Sequence, residues 1–359
     1  MGMKNKRLLE NFYNRHVFIT GHTGFKGSWM CQVLLQAGAK VTGYALEPPT
    51  EPSLFVLCGL DKKINSIMGD IRDLKHLKEA MEKARPDIVI HMAAQPIVRD
   101  SYNDPVYTFE TNVMGTVNVL EAIRHCGTVR SVVNVTTDKV YRNNEWCWGY
   151  REDDVLDGHD PYSNSKSCSE LVAGSYIRSF FRERDIAVSD CRAGNVIGGG
   201  DFAKDRIIPD CIRAVEKGET IVVRNPNSVR PYQHVLEAVM AYLMVIEKQW
   251  NNTSLAGSYN IGPKAEDCRK TEEIVTLFCN EWNRVSGKNV FWEKVGDKGP
   301  YEANFLKLDC SKIQSVFGWK PRWGVETAVE KIVEWTREYF AKEDVVGCME
   351  KQIEEYISG

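Results

Sequence analysis

Tyr162 and Lys166 stand one helical turn apart in Pro161-Tyr162-Ser163-Asn164-Ser165-Lys166. That spacing places a phenol and an ammonium on one face of a helix. A nearby cation stabilises tyrosinate and lowers a pKa that is ordinarily about 10, so Tyr162 reads as a general base. Upstream, Thr136-Thr137-Asp138-Lys139 closes an apolar, β-branched run. Such strand ends are where a parallel sheet presents reactive groups. Taken alone, Asp138-Lys139 reads equally as a surface ion pair.

A second group of residues could hold an anion. In Thr20-Gly21-His22-Thr23-Gly24-Phe25-Lys26-Gly27 the glycines lie between a strand and a helix. They permit a tight turn and close approach of backbone to a pyrophosphate, which the amides and positive dipole end of the next helix would meet. A structural turn is the alternative, and the spacing is GxxGxxG rather than GxGxxG. After the second strand, Tyr44-Ala45-Leu46-Glu47 puts a carboxylate late, and no arginine occurs between Val41 and Asp61 to receive a 2′-phosphate. The pattern favours NAD over NADP. Asp70-Ile71, after the third strand, could meet the adenine edge.

These residues need a sheet to position them. Strands are expected at 16–20, 40–46, 64–70, 87–94, 130–137 and 186–196, with helices at 28–38, 73–84, 105–126 and 162–184. Continuous apolar strands imply burial on both faces, so the core is a doubly wound parallel α/β sheet. After Asn195 the rhythm breaks, and GGGDFAKDRIIPD reads as loop. A helix at 234–250 and a strand at 257–263 return to the core. The remainder forms a smaller C-terminal α/β domain, its acidic end a solvated helix.

Composition excludes several classes. Lys+Arg number 46 and Asp+Glu 49, a net charge of −3 that argues against a general nucleic-acid binder. No apolar run approaches a membrane span, and the basic N-terminus lacks the apolar core of a signal peptide. The 11 cysteines include no CxxC pair, and the seven histidines no HxxxH. The expectation is a reduced, cytoplasmic protein without a structural metal.

GxxGxxG after strand one, TDK at a later strand end, YxxxK and RAGNVIGGGD together resemble the extended short-chain dehydrogenase/reductase family. More narrowly, GHTGFKGSW, GYALEPPTEPSLF, HMAAQP, VTTDKVY, PYSNSKSCSEL and RPYQHVLE resemble the CDP-glucose 4,6-dehydratases, from about Val17 to beyond Trp323. The pattern departs at Glu47, where aspartate is usual, and at Tyr301, where a histidine is expected.

The resemblance implies that residues 1–195, with about 230–263, bind NAD, and that 196–229 and 264–359 bind a nucleotide sugar, CDP-glucose. It implies NAD contacts from Gly21, Thr23, Gly24, Phe25, Lys26, Gly27, Tyr44, Glu47, Asp70, Ile71, Ala93, Ala94, Gln95, Asn112, Tyr162 and Lys166. Tyr162 would remove the O4 proton, Thr137 would hydrogen-bond O4, and Lys166 would hold the nicotinamide ribose. Asp138 would protonate O6 and Lys139 would take the C5 proton in a 4,6-dehydration that serves deoxysugar and O-antigen precursors. Asn195, Arg206 and Arg230 would bind the substrate, and loss of either arginine would raise KM more than it lowers kcat. For Arg206 the alternative is an ion pair with Asp205. A homodimer is expected through the helices at about 105–126 and 162–184, with a tetramer as the alternative. A dehydratase or epimerase of a UDP- or GDP-sugar is the rival activity. A non-catalytic NAD(P)-binding sensor is disfavoured because Tyr162, Lys166, Asp138 and Lys139 are all present.

Overall fold

The computed structural model describes residues 2–296 and 305–359. The first part alternates strands and helices: α1 (Gly2–Glu10), β1 (His16–Thr20), α2 (Phe25–Gln36), β2 (Lys40–Ala45), α3 (Leu54–Leu57), β3 (Asn65–Met68), α4 (Leu74–Ala84), β4 (Ile88–His91), α5 (Val98–Asn103), α6 (Pro105–Phe109), α7 (Gly115–His125), β5 (Ser131–Thr137), α8 (Pro161–Tyr176) and β6 (Ala187–Ala193). Then follow β7 (Val196–Ile197), α9 (Ile207–Lys217), β8 (Ile221–Val223), β9 (Val229–Pro231), β10 (Gln233–His234), α10 (Val235–Asn251), β11 (Ser258–Ile261), β12 (Cys268–Lys270), α11 (Thr271–Ser286), β13 (Trp292–Lys294), α12 (Ser311–Phe317), α13 (Val325–Ala341) and α14 (Val345–Ser358).

Seven parallel strands form one sheet in the order β11-β6-β5-β4-β1-β2-β3. This is a doubly wound α/β fold, with the order reversing between β1 and β4. Alternate residues feed opposite layers. Val17, Ile19, Ile88, Ile90, Val133 and Val135 pack toward α2 and α10, and Phe18, Val89, Val132 and Val188 toward α4, α7 and α8. The register pairs Thr20 with Tyr44 and with His91, and Thr137 with Ala193. The carboxyl ends of the strands therefore finish together, and the segments carrying Gly21, Ala93, Asp138 and Asn195 all leave from one edge of the sheet.

Local chemistry sets the helix starts. Asp160 accepts from the Ser163 N–H at 2.9 Å and Pro161 occupies the first helical position of α8. Asp104 and Pro105 do the same for α6. The long helix expected over 105–126 is interrupted by a π-helical turn at Glu110–Met114, a feature that often marks functional positions.

Two expectations change. The stretch GGGDFAKDRIIPD, read as loop, turns helical at its end: α9 starts at Ile207, and its Ile208, Cys211, Ile212 and Val215 share one buried stripe. They join Phe278, Trp282 and Val329 in a separate core among α9, α11 and α13. The acidic C-terminal helix is not solvated all round. Val345, Cys348, Met349, Gln352, Ile353 and Tyr356 recur at helical spacing and are buried, so α14 returns to pack in the same core as residues of α1 and α2.

Candidate active site

The glycine loop is shaped by close approach. Gly21 has φ +79°, and a Cβ there would lie 2.7 Å from the Ala93 nitrogen. A Cβ on Gly27 would lie 2.2 Å from the Gly21 carbonyl oxygen, so glycine lets α2 sit against the loop. At Gly24 a Cβ would meet only the Gly21 oxygen at 3.5 Å, which leaves the middle of the loop open. Gly24 caps α2 with no side-chain hydrogen bond, so the first amides of α2 keep their positive end for an anion. Thr20 Oγ1 accepts from the Met92 and Ala93 N–H groups at 3.1 and 3.2 Å, and Thr23 donates to the Leu46 carbonyl at 2.9 Å. A dinucleotide pyrophosphate fits this cradle.

Around it the expected contacts divide. Phe25 is half-buried beside Gly198, Ala93 and Ala94 are half-buried, and Glu47 is exposed. Asp70 is half-buried. Burial works against its charge, but hydrogen bonds from Arg72 hold the carboxyl below its ordinary range. Tyr44, in contrast, lies in the core and donates to the Asp70 carbonyl at 3.1 Å. Ile71 is buried, with its own carbonyl accepting from Asn118 at 2.9 Å. Asn112, in the π-turn, accepts from the Gln95 N–H at 2.9 Å and donates to the Gln95 carbonyl and Ser165 hydroxyl at 3.1 and 2.9 Å. The side chains of Tyr44, Ile71 and Asn112 thus support the site from beneath.

At the end of β5, Asp138 is only 2% exposed. Thr137 donates to its Oδ1 at 3.0 Å, and its buried Oδ2 has no partner. Burial pushes the Asp138 carboxyl above its ordinary range, while the charges of Lys139 and Arg230 and the Thr137 hydrogen bond draw it back. Lys139 is half-buried beside it.

Tyr162 is half-buried in the first turn of α8. Burial pushes its phenol up to about 12. A hydrogen bond with Thr137 and the charge of Arg206 oppose that rise, and the charge of Asp138 adds to it. Lys166 is buried, and its Nζ donates to the Val135 carbonyl at 2.9 Å. Burial lowers its ammonium to about 8 against the charges of Glu170 and Asp190. This revises the sequence reading: Lys166 is directed onto the sheet, and the cation that draws Tyr162 down is Arg206. A buried ammonium takes the nearest carbonyl and carboxylates.

Arg206 pairs with Asp201 at 2.9 Å, whereas Asp205 pairs with Arg224 at 2.7 Å. The alternative Arg206–Asp205 pair does not form. Lys26 lies within the electrostatic reach of Arg206 and Lys166, and burial together with their repulsion lowers it to about 8. Arg230, on β9, is buried. The Asn195 carbonyl accepts from the Gln233 N–H at 2.9 Å. Lys26, Lys139, Lys166, Arg206 and Arg230 thus concentrate positive charge around Tyr162 and Asp138 in a chain of net charge −3. Tyr301 lies outside the described residues, and no metal-binding cluster occurs among the described ones.

Sequence reasoning missed the polar layer beneath the site. Thr136 donates to Glu170 at 2.6 Å, Arg192 Nε donates to both Glu170 oxygens at 2.9 and 3.0 Å, and Arg192 Nη1 meets the Tyr141 hydroxyl at 2.6 Å. The signal was available: Asp190 and Arg192 interrupt a strand that is buried throughout.

With this geometry in hand, comparison places the chain among known proteins. The family model for GDP-mannose 4,6 dehydratase matches residues 18–332. A CDP-glucose 4,6-dehydratase of Salmonella typhimurium is 45% identical over 356 residues, covering 97% of this chain and 98% of its own. Among solved structures, a Thermus thermophilus UDP-glucose 4-epimerase in complex with NAD superposes with TM-score 0.77 at 25% identity, over 90% of this chain and 99% of its own. A dTDP-glucose 4,6-dehydratase of Streptomyces venezuelae gives TM-score 0.77 at 23% identity, over 92% and 99%, a likeness of fold.

Proposed function

The chain belongs to the GDP-mannose 4,6-dehydratase family, within the extended short-chain dehydrogenases/reductases, and on that premise we propose that its substrate is CDP-D-glucose. It is an NAD-dependent nucleotide-sugar 4,6-dehydratase, a hydro-lyase. The proposed product is CDP-4-dehydro-6-deoxy-D-glucose. Support for the cytidine nucleotide comes from the 45% identical relative, which carries that activity in its name.

The observation that carries the mechanism is the buried Asp138 carboxyl with one unpartnered oxygen, flanked by Thr137, Lys139 and Tyr162. Bound NAD would supply the hydride chemistry, as acceptor from C4 of the sugar and donor back to C6. Residues of the glycine loop would hold its pyrophosphate, and Tyr162 and Lys166 would hold its nicotinamide ribose. Tyr162, as phenolate, takes the O4 proton, and Thr137 hydrogen-bonds the same oxygen. The C4 ketone acidifies the C5–H bond. Lys139 acts as base only when its amine is free of its proton; it then takes the C5 proton while Asp138, protonated, gives its proton to the C6 hydroxyl, which departs as water. Arg206, Arg230 and Asn195 hold the diphosphate and sugar.

Residues 1–195 with about 230–263 form the cofactor platform in this reading, and 196–229 with 264–359 the nucleotide-sugar part. A homodimer fits the exposed apolar side chains on α6 to α8. Val106, Met114 and Leu171 are 67%, 52% and 59% exposed, and apolar side chains left exposed together suit an interface. The free cysteines and the nucleotide-sugar substrate suit the cytoplasm.

Incubation with NAD and each of CDP-, UDP-, GDP- and dTDP-glucose tests the assignment. A 4-keto product formed fastest by a wide margin from CDP-glucose supports it; preference for another nucleotide overturns it.

A further inference from the structure

Three glycines lead from β7 into a buried carboxylate, Gly198-Gly199-Gly200-Asp201. A Cβ on Gly199 would lie 2.2 Å from Cγ of the Trp335 ring on α13, so this backbone rests directly on the indole. The Gly199 carbonyl accepts from Trp29 Nε1 of α2 at 3.0 Å. Phe202 packs against Trp335 and Tyr339, with ring centroids 6.1 and 5.4 Å apart. Arg213 of α9 donates to the Phe202 and Ala203 carbonyls, each at 3.2 Å. The backbone on both sides of Asp201 is thus held by contacts that do not involve its own side chain.

Asp201 is 4% exposed, so its carboxylate needs partners inside the protein. It has two. Oδ1 accepts from the Ala203 N–H at 3.1 Å, and Oδ2 accepts from Arg206 Nη1 at 2.9 Å. The Arg206 side chain is partly exposed, and among the described residues it makes no other hydrogen bond. Nε and Nη2 therefore keep their donors for an anion. The neighbouring charges are already paired, Asp205 with Arg224 at 2.7 Å and Arg213 with Asp210.

We propose that Asp201 is a positioning residue for substrate binding: its fixed carboxylate holds one corner of the Arg206 guanidinium so that the rest of the fork meets the substrate diphosphate. A long, partly exposed side chain left untethered spreads over several rotamers, and ordering it on binding costs affinity. Asp201 supplies that order before the substrate arrives. It acts through Arg206 and needs no contact with the nucleotide sugar.

This role rests on the assignment of Arg206 to the diphosphate, and the test separates the two. KM for CDP-glucose and kcat are measured with saturating NAD, at a pH on the plateau of kcat, for full-length wild type, Asp201→Asn, Arg206→Ala and the double variant. Asp201→Asn keeps an acceptor for the Ala203 N–H and removes the charge. It is expected to raise KM roughly tenfold, to change kcat much less, and to add nothing in the Arg206→Ala background. Asp201→Ser, which also keeps an acceptor, serves if the first variant does not fold. An unchanged or lowered KM in Asp201→Asn, while Arg206→Ala raises it, overturns the proposal. An equal rise in both backgrounds does so too, because Asp201 would then not act through Arg206. If Arg206→Ala leaves KM unchanged, the assignment of Arg206 fails, and a crystal structure of Asp201→Asn decides the link alone. A guanidinium that leaves its place supports Asp201 as its holder; one that keeps its place overturns it.

Discussion

The Thr137 hydroxyl donates to one oxygen of the Asp138 carboxyl at 3.0 Å, and the other oxygen, equally buried, has no partner. Burial disfavours the ionised carboxyl, so its free oxygen is suited to carry the proton that leaves with O6. Asp138→Asn keeps the hydrogen bond and has no proton to give. Release of 4-keto-6-deoxy product should fall by roughly 10²–10⁴-fold, while reduction of NAD by the substrate, followed by absorbance in single turnovers, persists. Lys139→Ala should lose exchange of solvent deuterium into C5. Exchange at the wild-type rate would place the C5 base elsewhere.

Arg206 does more than the sequence assigned to it. Its charge reaches Tyr162 as well as any bound diphosphate. Tyr162 must be deprotonated to act, so activity rises with pH through its pKa, and loss of the guanidinium moves that rise to higher pH. Arg206→Ala should both raise KM and shift the acidic limb of the kcat profile upward. Arg206→Lys should restore the limb more fully than KM, because an ammonium supplies the charge without the fork. An Arg206→Ala profile with an unshifted limb would confine Arg206 to binding.

Glu237 ties the C-terminal segment to α10. It accepts from the Arg322 and Trp323 N–H groups at 2.9 and 2.7 Å and from the Tyr356 hydroxyl at 2.8 Å. Burial raises its carboxyl from 4.5 to about 7 despite those hydrogen bonds. The folded state therefore holds a proton that the unfolded chain releases, and the stability this confers is lost as pH rises from about 4.5 to about 7. The loss is roughly 3 kcal/mol at most. Glu237→Gln removes the titration, so its Tm relative to wild type should rise as pH is raised from about 4.5 to about 7. A constant Tm difference would contradict this.

The homodimer proposal turns on Met114 and Leu171. Met114→Glu with Leu171→Glu puts charge on both the π-helical turn and α8 of the exposed apolar face. Sedimentation should show the wild type as a dimer and the double variant as a monomer. A variant that sediments like wild type would move the interface.

Much of this was legible in the sequence, for a physical reason. Strands buried on both faces are continuous apolar runs, and the glycines at 21 and 27 are demanded by approach distances that no side chain tolerates. The active-site strand end and the Tyr162 helix follow from the same patterns. What stayed hidden depends on three-dimensional pairing. Nothing in Tyr162-x-x-x-Lys166 says that the lysine turns toward Val135 while Arg206 arrives from another part of the chain. Likewise α9 lies in a stretch dominated by glycine and aspartate at its start, and α14 shows its buried stripe only once Met349, Ile353 and Tyr356 have α1 and α2 to meet.

The central claim is an internal redox cycle at one site, and isotope transfer tests it most directly. CDP-[4-²H]glucose is turned over with catalytic NAD, and the product is read by mass spectrometry and ²H NMR. The account predicts that the deuterium appears at C6 of the same sugar, with no net NADH. Deuterium lost to solvent, or NADH accumulating in step with product, would contradict it.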